Sequence, residues 1–464
     1  MKTLGKPIFV LIALLILVFS VLSVSGYSYY TGDLKNTVFK GFADLDWGND
    51  VAGGTEVSLV PASADEVDTV KDVIRKRAAY FGLSEYELYS NSKGEVVLVV
   101  PNDIDADFDA SEVAAFLTCN GEFTLRPGLC YSDMHIDSAN NAVYSIPTDE
   151  TKLLTTDHIK TASYSEYTEA GVTYNFVDVK FGAEGTELLS QITNPDTGAY
   201  YNQTISAWVD DRMFGYQTMS NQVVSGIFSF TYDGMSDSTA RLVSSVIKSG
   251  TMPCELSLSY HALTPPTAGT NVSDIITYTG LSALLIIAFV MIYKYKTGGV
   301  VTLLALFMEF SGILAILTGF VGEGHTFMMT IPGVCALGLS VLLTVFSCSL
   351  ICDSTRKSLG SGNVLSKALE SAYTENKSKI LDVSVILALV SLVALFVFGE
   401  SKMNVSFFGT TAASGIHKFS YVLLLGSVLN IINGYILPKL MFRSLLSYKA
   451  LNKASMFGGA VNEK

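Results

Sequence analysis

Of the carboxylates within or beside long apolar runs of this chain, three are candidates for chemistry: Glu309, Asp353 and Asp382. A charged side chain in hydrocarbon costs ~2.5–3.5 kcal/mol or more, so such groups are kept for proton relays, ion paths or internal pairing. Glu309 is the deepest, about ten residues from either end of the run 300–320, close to the middle of a ~30 Å apolar layer. It has two readings. One is a proton relay. The other is a structural acid paired with Ser311 or a neighbouring hydroxyl, or facing a polar crevice. Asp353 and Asp382 are also candidate relay groups, but they lie near run ends, where a side chain reaches water by snorkelling.

The rest of the chain carries little that could do chemistry. It has no G-x-S-x-G, no phosphate loop, no H-E-x-x-H and no cluster among its 5 His. Asp103, Asp105, Asp107 and Asp109, and the pair Asp210-Asp211, invite a cation-site reading. They lack EF-hand spacing and its terminal Glu, and read as solvated acidic loops. Of 6 Cys, three (Cys335, Cys348, Cys352) share one apolar run and read as small apolar filler. Cys119, Cys130 and Cys254 lie in the polar part, and the sequence leaves open whether Cys119 and Cys130 pair. No C-x-x-C or Cys/His spacing points to a metal. The expectation is a protein that is not an enzyme and has no metal or cofactor.

Only 16% of residues are charged, the mark of a polytopic membrane protein. Six apolar runs, 7–25, 275–293, 300–320, 328–352, 380–398 and 419–437, are long enough to cross a bilayer, since ~20 residues at 1.5 Å rise span ~30 Å. The first run exceeds a signal-peptide core and reads as an uncleaved anchor. Between the first two runs, residues 27–271 hold 34 Asp+Glu against 14 Lys+Arg, and the remainder holds 9 against 16. The bases flank run ends that alternate to one side, which places that side, with both termini, in the cytoplasm and the acidic segment outside. So acidic a domain excludes nucleic acid as a partner, because nothing in it neutralises phosphates.

The outer segment alternates strand and helix signals. Residues 55–60 alternate like a strand after Gly53-Gly54. Ser63 with Glu66 reads as a capping box before a helix ended by Gly82, "EVVLVVP" as a strand, "DASEVAAFL" as a capped helix and "EFTLRP" as a strand of the same small sheet. From Tyr131 the texture becomes rich in Tyr, Ser, Thr and Asn, the entry to a second lobe. "AEGTELLSQIT" reads as a helix, "QTISAWVDDRM" as a strand and turn, and a Ser/Asp-capped helix broken by Gly250 precedes a strand that returns to the first sheet.

Several stretches carry a family resemblance. "GNDVAGG" (Gly48, Asp50, Gly53, Gly54) is similar to G-x-D-L-x-G-G, and "VIRKRAAYFGLSE" (with Arg75 and Arg77) to I-R-x-R-x-x-x-x-G-V-x-E. "GEFTLRP", "AWVDDR" and "SGTMP" keep the order of the same family's F-R-P, A-x-x-L-D-G and G-x-L-P elements. "TIPGVCALGLSVLLTVFSCSLICDSTRKSL" resembles its fourth membrane helix, with Thr330, Pro332, Gly333, Leu339, Leu350, Ile351, Arg356 and Leu359 in agreement. "ILDVSVIL" places Asp382 in register in the fifth. The chain thus resembles SecD, the membrane subunit of bacterial protein export within the resistance–nodulation–division superfamily, over roughly residues 40–440. It departs from SecD where it matters chemically: the family's intramembrane Asp falls on Phe346, and Asp353 replaces a Glu. Residues 401–416 look like an extra loop.

The resemblance implies a polytopic α-helical membrane protein with six transmembrane helices. A large extracytoplasmic α+β domain, a ferredoxin-like base plus a head, lies between helices 1 and 2. The divisions expected are 1–28 (N-terminus and first span), 29–130 (base), 131–225 (head), 226–272 (return and linker), 273–440 (five-span bundle) and 441–464 (cytoplasmic tail). It further implies an accessory subunit of the Sec translocase in the bacterial cytoplasmic membrane, assisting export driven by the proton motive force. Its partners would be a SecF-like subunit, the SecYEG channel, unfolded exported polypeptide and membrane lipid. With Phe346 in place of the acid, the proton-relay role does not carry over to that position. Rival readings are a superfamily exporter of lipid or small molecules, and a non-transporting regulatory or assembly subunit.

Overall fold

The computed structural model describes residues 4–31, 34–83, 85–104, 109–129, 131–136, 142–147, 151–169, 172–232, 234–320, 327–398, 415–449 and 452–457. Cys130, Asp105, Asp107 and the loop 401–414 lie outside them. Two compact units emerge among the described residues: 53–265, and the remainder on either side of it in sequence.

The unit that holds both chain ends is built from six helices long and apolar enough to cross a membrane. They are α1 (Lys6–Ser25), α7 (Val272–Tyr295), α8 (Thr297–Leu317), α9 (Ile331–Gly360), α10 (Leu365–Phe398) and α11 (Gly415–Asn430). The last runs through a π-helical stretch, Ile431–Ile436, into α12 (Leu437–Leu445). All six runs predicted from hydropathy are helical. The fourth and fifth are longer than the apolar runs because polar residues on their flanks, 353–360 and 365–379, continue the helix. A hairpin of β1 (Tyr27–Thr31) and β2 (Leu34–Phe39) follows α1, and a short helix α2 (Asn49–Ala52) precedes the second unit.

Small residues let these helices approach closely, as expected where packing replaces the hydrophobic drive. Gly426 of α11 sits directly on Ser340 of α9, with no room for a Cβ, and Gly434 sits on Asn430 and Ser347. The buried face of α9 (Ser340, Thr344, Ser347, Ile351, Thr355) is mostly small or hydroxyl-bearing. Its opposite face carries Leu339, Leu342 and Phe346, which is 46% exposed.

The other unit is α+β. A four-stranded antiparallel sheet has the order β15-β3-β5-β4, from β3 (Gly54–Pro61), β4 (Glu87–Ser90), β5 (Val96–Pro101) and β15 (Leu256–Thr264). Helices α3 (Val67–Phe81) and α4 (Ala110–Thr118) pack on it through Val70, Ile74, Ala78, Val113 and Leu117. The returning strand predicted from the sequence is β15, paired along β3. The strand in "EFTLRP", β6 (Phe123–Pro127), is not in this sheet. It pairs with β12 (Thr204–Val209) and β9 (Leu154–Thr155) in a six-stranded sheet β7-β8-β13-β12-β6-β9, with β7 (Tyr131–Ile136), β8 (Ala142–Pro147) and β13 (Arg212–Thr218). Local alternation does not specify a partner, and the apolar match to Ile205, Ala207 and Val209 lies about 80 residues further along the chain.

"QTISAWVDDRM" is a strand and a turn, as the sequence indicates, and the turn leads directly into β13, with Asp210 at φ 53° in the left-handed region that tight turns need. A third sheet, β10-β11-β14, joins the long hairpin of β10 (Ile159–Glu169) and β11 (Val172–Phe181) to β14 (Ile227–Phe230). Helix α5 (Ala183–Ile192) follows β11, and α6 (Asp237–Ser249), capped by the Ser236 hydroxyl, packs on α3 and β10. Ser63 makes no side-chain cap. The chain enters α3 through a 3-10 turn at Ala64–Glu66, and Gly82 at φ 91° ends it as the sequence indicates.

The closeness at Gly426 has a measurable consequence. Gly426→Val overpacks the contact between α9 and α11 and is expected to destabilise the helical unit by about 1–3 kcal/mol, read as a lower thermal midpoint in detergent. An unchanged midpoint contradicts the packing described here.

Candidate functional site

Inside the helical unit, polar side chains from four helices meet where an apolar core is the default. Glu309, with 0% exposure, projects from α8. Its Oε2 accepts a hydrogen bond of 2.8 Å from Nδ2 of Asn433, on the π-helical stretch. Of the surroundings expected from sequence, Ser311 is not its hydrogen-bond partner, while a neighbouring hydroxyl and other polar groups do line it. Thr344 of α9 lies beside the carboxyl, but its single hydroxyl proton goes to Asn430 Oδ1 at 3.0 Å. Asn430 Nδ2 donates onward to Ser347 (3.1 Å) and to Ser384 of α10 (2.8 Å). Glu309 Oε1 and Asn433 Oδ1, both buried, have no hydrogen-bond partner among the described residues.

The local fold explains why these groups meet. The π stretch makes wider turns than the α-helix on either side, and such stretches often mark functional positions. Gly434 leaves space for Asn430 against the helix. Nothing in the sequence reading singled out Asn430 or Asn433. The available signal was two amides three residues apart in an apolar run, "NIIN". Neutral amides do not disturb hydropathy as an acid does.

The other acids sit elsewhere. Asp353 forms an ion pair of 3.2 Å with Lys294, and both side chains are roughly half exposed. Asp382 is exposed on α10 and is not part of the cluster. Phe346 points away from Glu309, on the outward face of α9. Arg356 is exposed on the last turns of α9.

Two sequence motifs converge at the start of α9. Asp50 Oδ2 accepts the Ile331 N–H at 2.6 Å, putting a carboxylate at the helix N-terminus, where the unpaired N–H groups and dipole favour negative charge. Gly48 N–H donates to Met329 O at 2.9 Å, and Met329 N–H to Asp46 O at 2.8 Å. Thr330 caps the helix through Gly333 N–H, and Pro332 occupies its first turn. So Gly48 and Asp50 hold the Thr330–Gly333 segment, a contact between residues 281 apart in sequence. Burial raises the Asp50 carboxyl above its ordinary 3.8, and the Ile331 N–H opposes the rise. Gly53 (φ 73°) turns the chain into β3, which begins at Gly54, and Gly53 O accepts from Asn102 N–H.

Arg77 is buried in the α+β unit, and all five of its donors are used. Nη1 reaches Leu117 O and Cys119 O, Nη2 reaches Asn120 O and Gly250 O, and Nε reaches the Ser249 hydroxyl. It ties the ends of α4 and α6 to α3. Gly121, at φ 79°, leaves room for the guanidinium. Burial pushes the neighbouring Cys119 thiol up to about 12. Arg75 pairs with Asp72 on the surface of α3. Asp210 is no cation site: its two oxygens accept from Gly121 and Glu122 N–H at 2.9 and 2.8 Å. Asp109 caps α4. Among the described residues, no three His, Cys, Asp or Glu gather as metal ligands.

No family model matches the chain. A SecD subunit of Leptotrichia buccalis is 24% identical over 428 residues, covering 91% of this chain and 94% of that protein. A SecD subunit of Rhodothermus marinus is 24% identical over 276 residues, 59% of this chain and only 40% of that relative. A crystal structure of SecDF in its super-membrane-facing form aligns over 94% of this chain with a TM-score of 0.54 at 18% identity. The chain spans 57% of that SecDF chain, so its length falls well short of some proteins it matches. The resemblance read from the motifs is borne out, as is the fold class of six membrane helices with a large α+β domain.

Two predictions follow from these contacts. Arg77→Leu strands four carbonyls and is expected to cost about 3–5 kcal/mol. Arg77→Lys is also destabilising because three donors cannot replace five. Both are measured by denaturant unfolding of the α+β unit's signal, and wild-type stability in Arg77→Leu contradicts the role. For Asp50, a raised folded pKa means stabilisation present below the unfolded value of 3.8 and lost as pH rises through the folded one. Asp50→Asn keeps an acceptor for Ile331 and is expected to flatten this pH dependence just above 3.8. Thermal midpoints at a series of pH values check it.

Proposed function

We propose that this SecD-type chain is an accessory subunit of the Sec protein translocase, working with a SecF-like partner in the cytoplasmic membrane. The reading rests chiefly on the match along α9: the family's helix is kept, while the position of its intramembrane acid is an outward-facing Phe. The α+β unit lies outside the membrane and engages unfolded polypeptide as it emerges, using open sheet edges and apolar grooves. Both termini are cytoplasmic. The chain performs no covalent chemistry. It serves export that draws on the proton motive force, and the acid that SecD places on this helix has no counterpart at position 346. A SecF-like half packs against the face Leu339, Leu342 and Phe346, all well exposed here, and supplies titrating groups of its own.

Cysteine cross-linking in native membranes tests this. Phe346→Cys is expected to cross-link to a six-span SecF-like protein. Phe289→Cys, on the exposed side of α7, is the control and is expected not to do so. A cross-link of Phe346→Cys to a second copy of this chain supports a homodimeric exporter instead. No cross-link above the Phe289→Cys control rejects the pairing on this face.

A further inference from the structure

We propose that Glu309 and Asn433 form an intramembrane proton-binding site of this chain: the Glu309 carboxylate takes up the proton, and the Asn433 amide turns to accept it. This goes beyond the export reading, which assigns no proton site here.

The geometry carries the inference. A fully buried carboxylate has one hydrogen bond, from Asn433 Nδ2. Two acceptors, Glu309 Oε1 and Asn433 Oδ1, go without a donor among the described residues. One donor is missing, and an arriving proton supplies it. When the carboxylate is charged, Asn433 donates to it. When an O–H bond forms on the carboxyl, the site becomes neutral and needs an acceptor. A half-turn of the Asn433 amide exchanges Nδ2 for Oδ1 and provides one. No other covalent bond changes. Amides are suited to this exchange because each end is a donor or an acceptor in nearly the same space.

A merely structural acid would be expected to have both oxygens satisfied. Here the neighbouring hydroxyl, Thr344, spends its proton on Asn430. Among the described residues, the elements packed on α8 bring one other titratable side chain into electrostatic contact with Glu309, Cys348 of α9. Four of their lysines, all described, are held elsewhere. Lys294 is on Asp353, Lys296 on Ser455 O, Lys418 over Phe327, and Lys439 over Tyr373 and Tyr435. Among the described residues no Lys or Arg forms an ion pair with Glu309, so proton binding decides the charge of the site. The π-helical stretch that carries Asn433 is where such a two-state side chain finds room.

Infrared difference spectroscopy of the full chain in lipid nanodiscs reads the protonated carboxyl C=O stretch across a pH titration. Glu309→Gln is subtracted. Its amide N–H donates to Asn433 Oδ1, so it is expected to fold as a mimic of the protonated state. A Glu309 band that is present at low pH and lost through a single midpoint is the expected result. Asn433→Leu removes the carboxylate's hydrogen bond and is expected to move that midpoint by about one pH unit. Asn433→Ala, which removes the same hydrogen bond, is the second variant if Asn433→Leu fails to fold, and is likewise expected to move the midpoint. A band constant across the titration, no band at any pH, or a midpoint unmoved in the folded variants overturns the proposal. The measurement reads proton binding without any export partner, so it stands or falls separately from the translocase reading.

Discussion

The hydrogen bond between Asn433 and Glu309 sets the terms for the helical unit. Placing a carboxylate among apolar helices requires partners that reach it from another helix. The approach is possible only because Gly426 and Gly434 remove bulk where α9 and the π stretch meet. The same closeness lets Asn430 collect Thr344, Ser347 and Ser384 into one network. Polar satisfaction and small-residue packing are therefore one feature. Enlarging a glycine displaces the amides, and losing the amides leaves Glu309 without its single donor.

The membrane architecture was legible from sequence because ~20 consecutive apolar residues leave few alternatives in a chain with 16% charge. Helix ends were less visible, since α9 and α10 continue through polar residues that water tolerates. In the α+β unit, caps at Asp109 and Ser236 and the terminating Gly82 could be read locally. The pairing of β6 with β12 could not, because strand partners are chosen by surfaces that meet only after the chain folds.

The candidate site was half visible. Glu309 stood out as an acid in an apolar run, but its amide partner was not singled out because neutral amides carry no such signal. Gly48, Asp50, Pro332 and Gly333 were recognisable as separate motifs, and only the fold shows that Asp50 and the start of α9 form one joint. Arg77 was recognisable in the sequence only as a motif position. Its burial follows from five carbonyl and hydroxyl acceptors contributed by two other helix ends.

The wide turn at Ile431–Ile436 also bears on how this helix compares with its relatives. Each residue of an α-helix rotates the chain by about 100°, and a π turn has the footprint of one inserted residue. A homologue whose last helix is regular would align here only with a single-residue gap. Aligned without that gap, the residues of Leu437–Leu445 would be matched to positions on the wrong side of the helix, and the contacts of Met441 and Phe442 would be assigned to side chains that never make them.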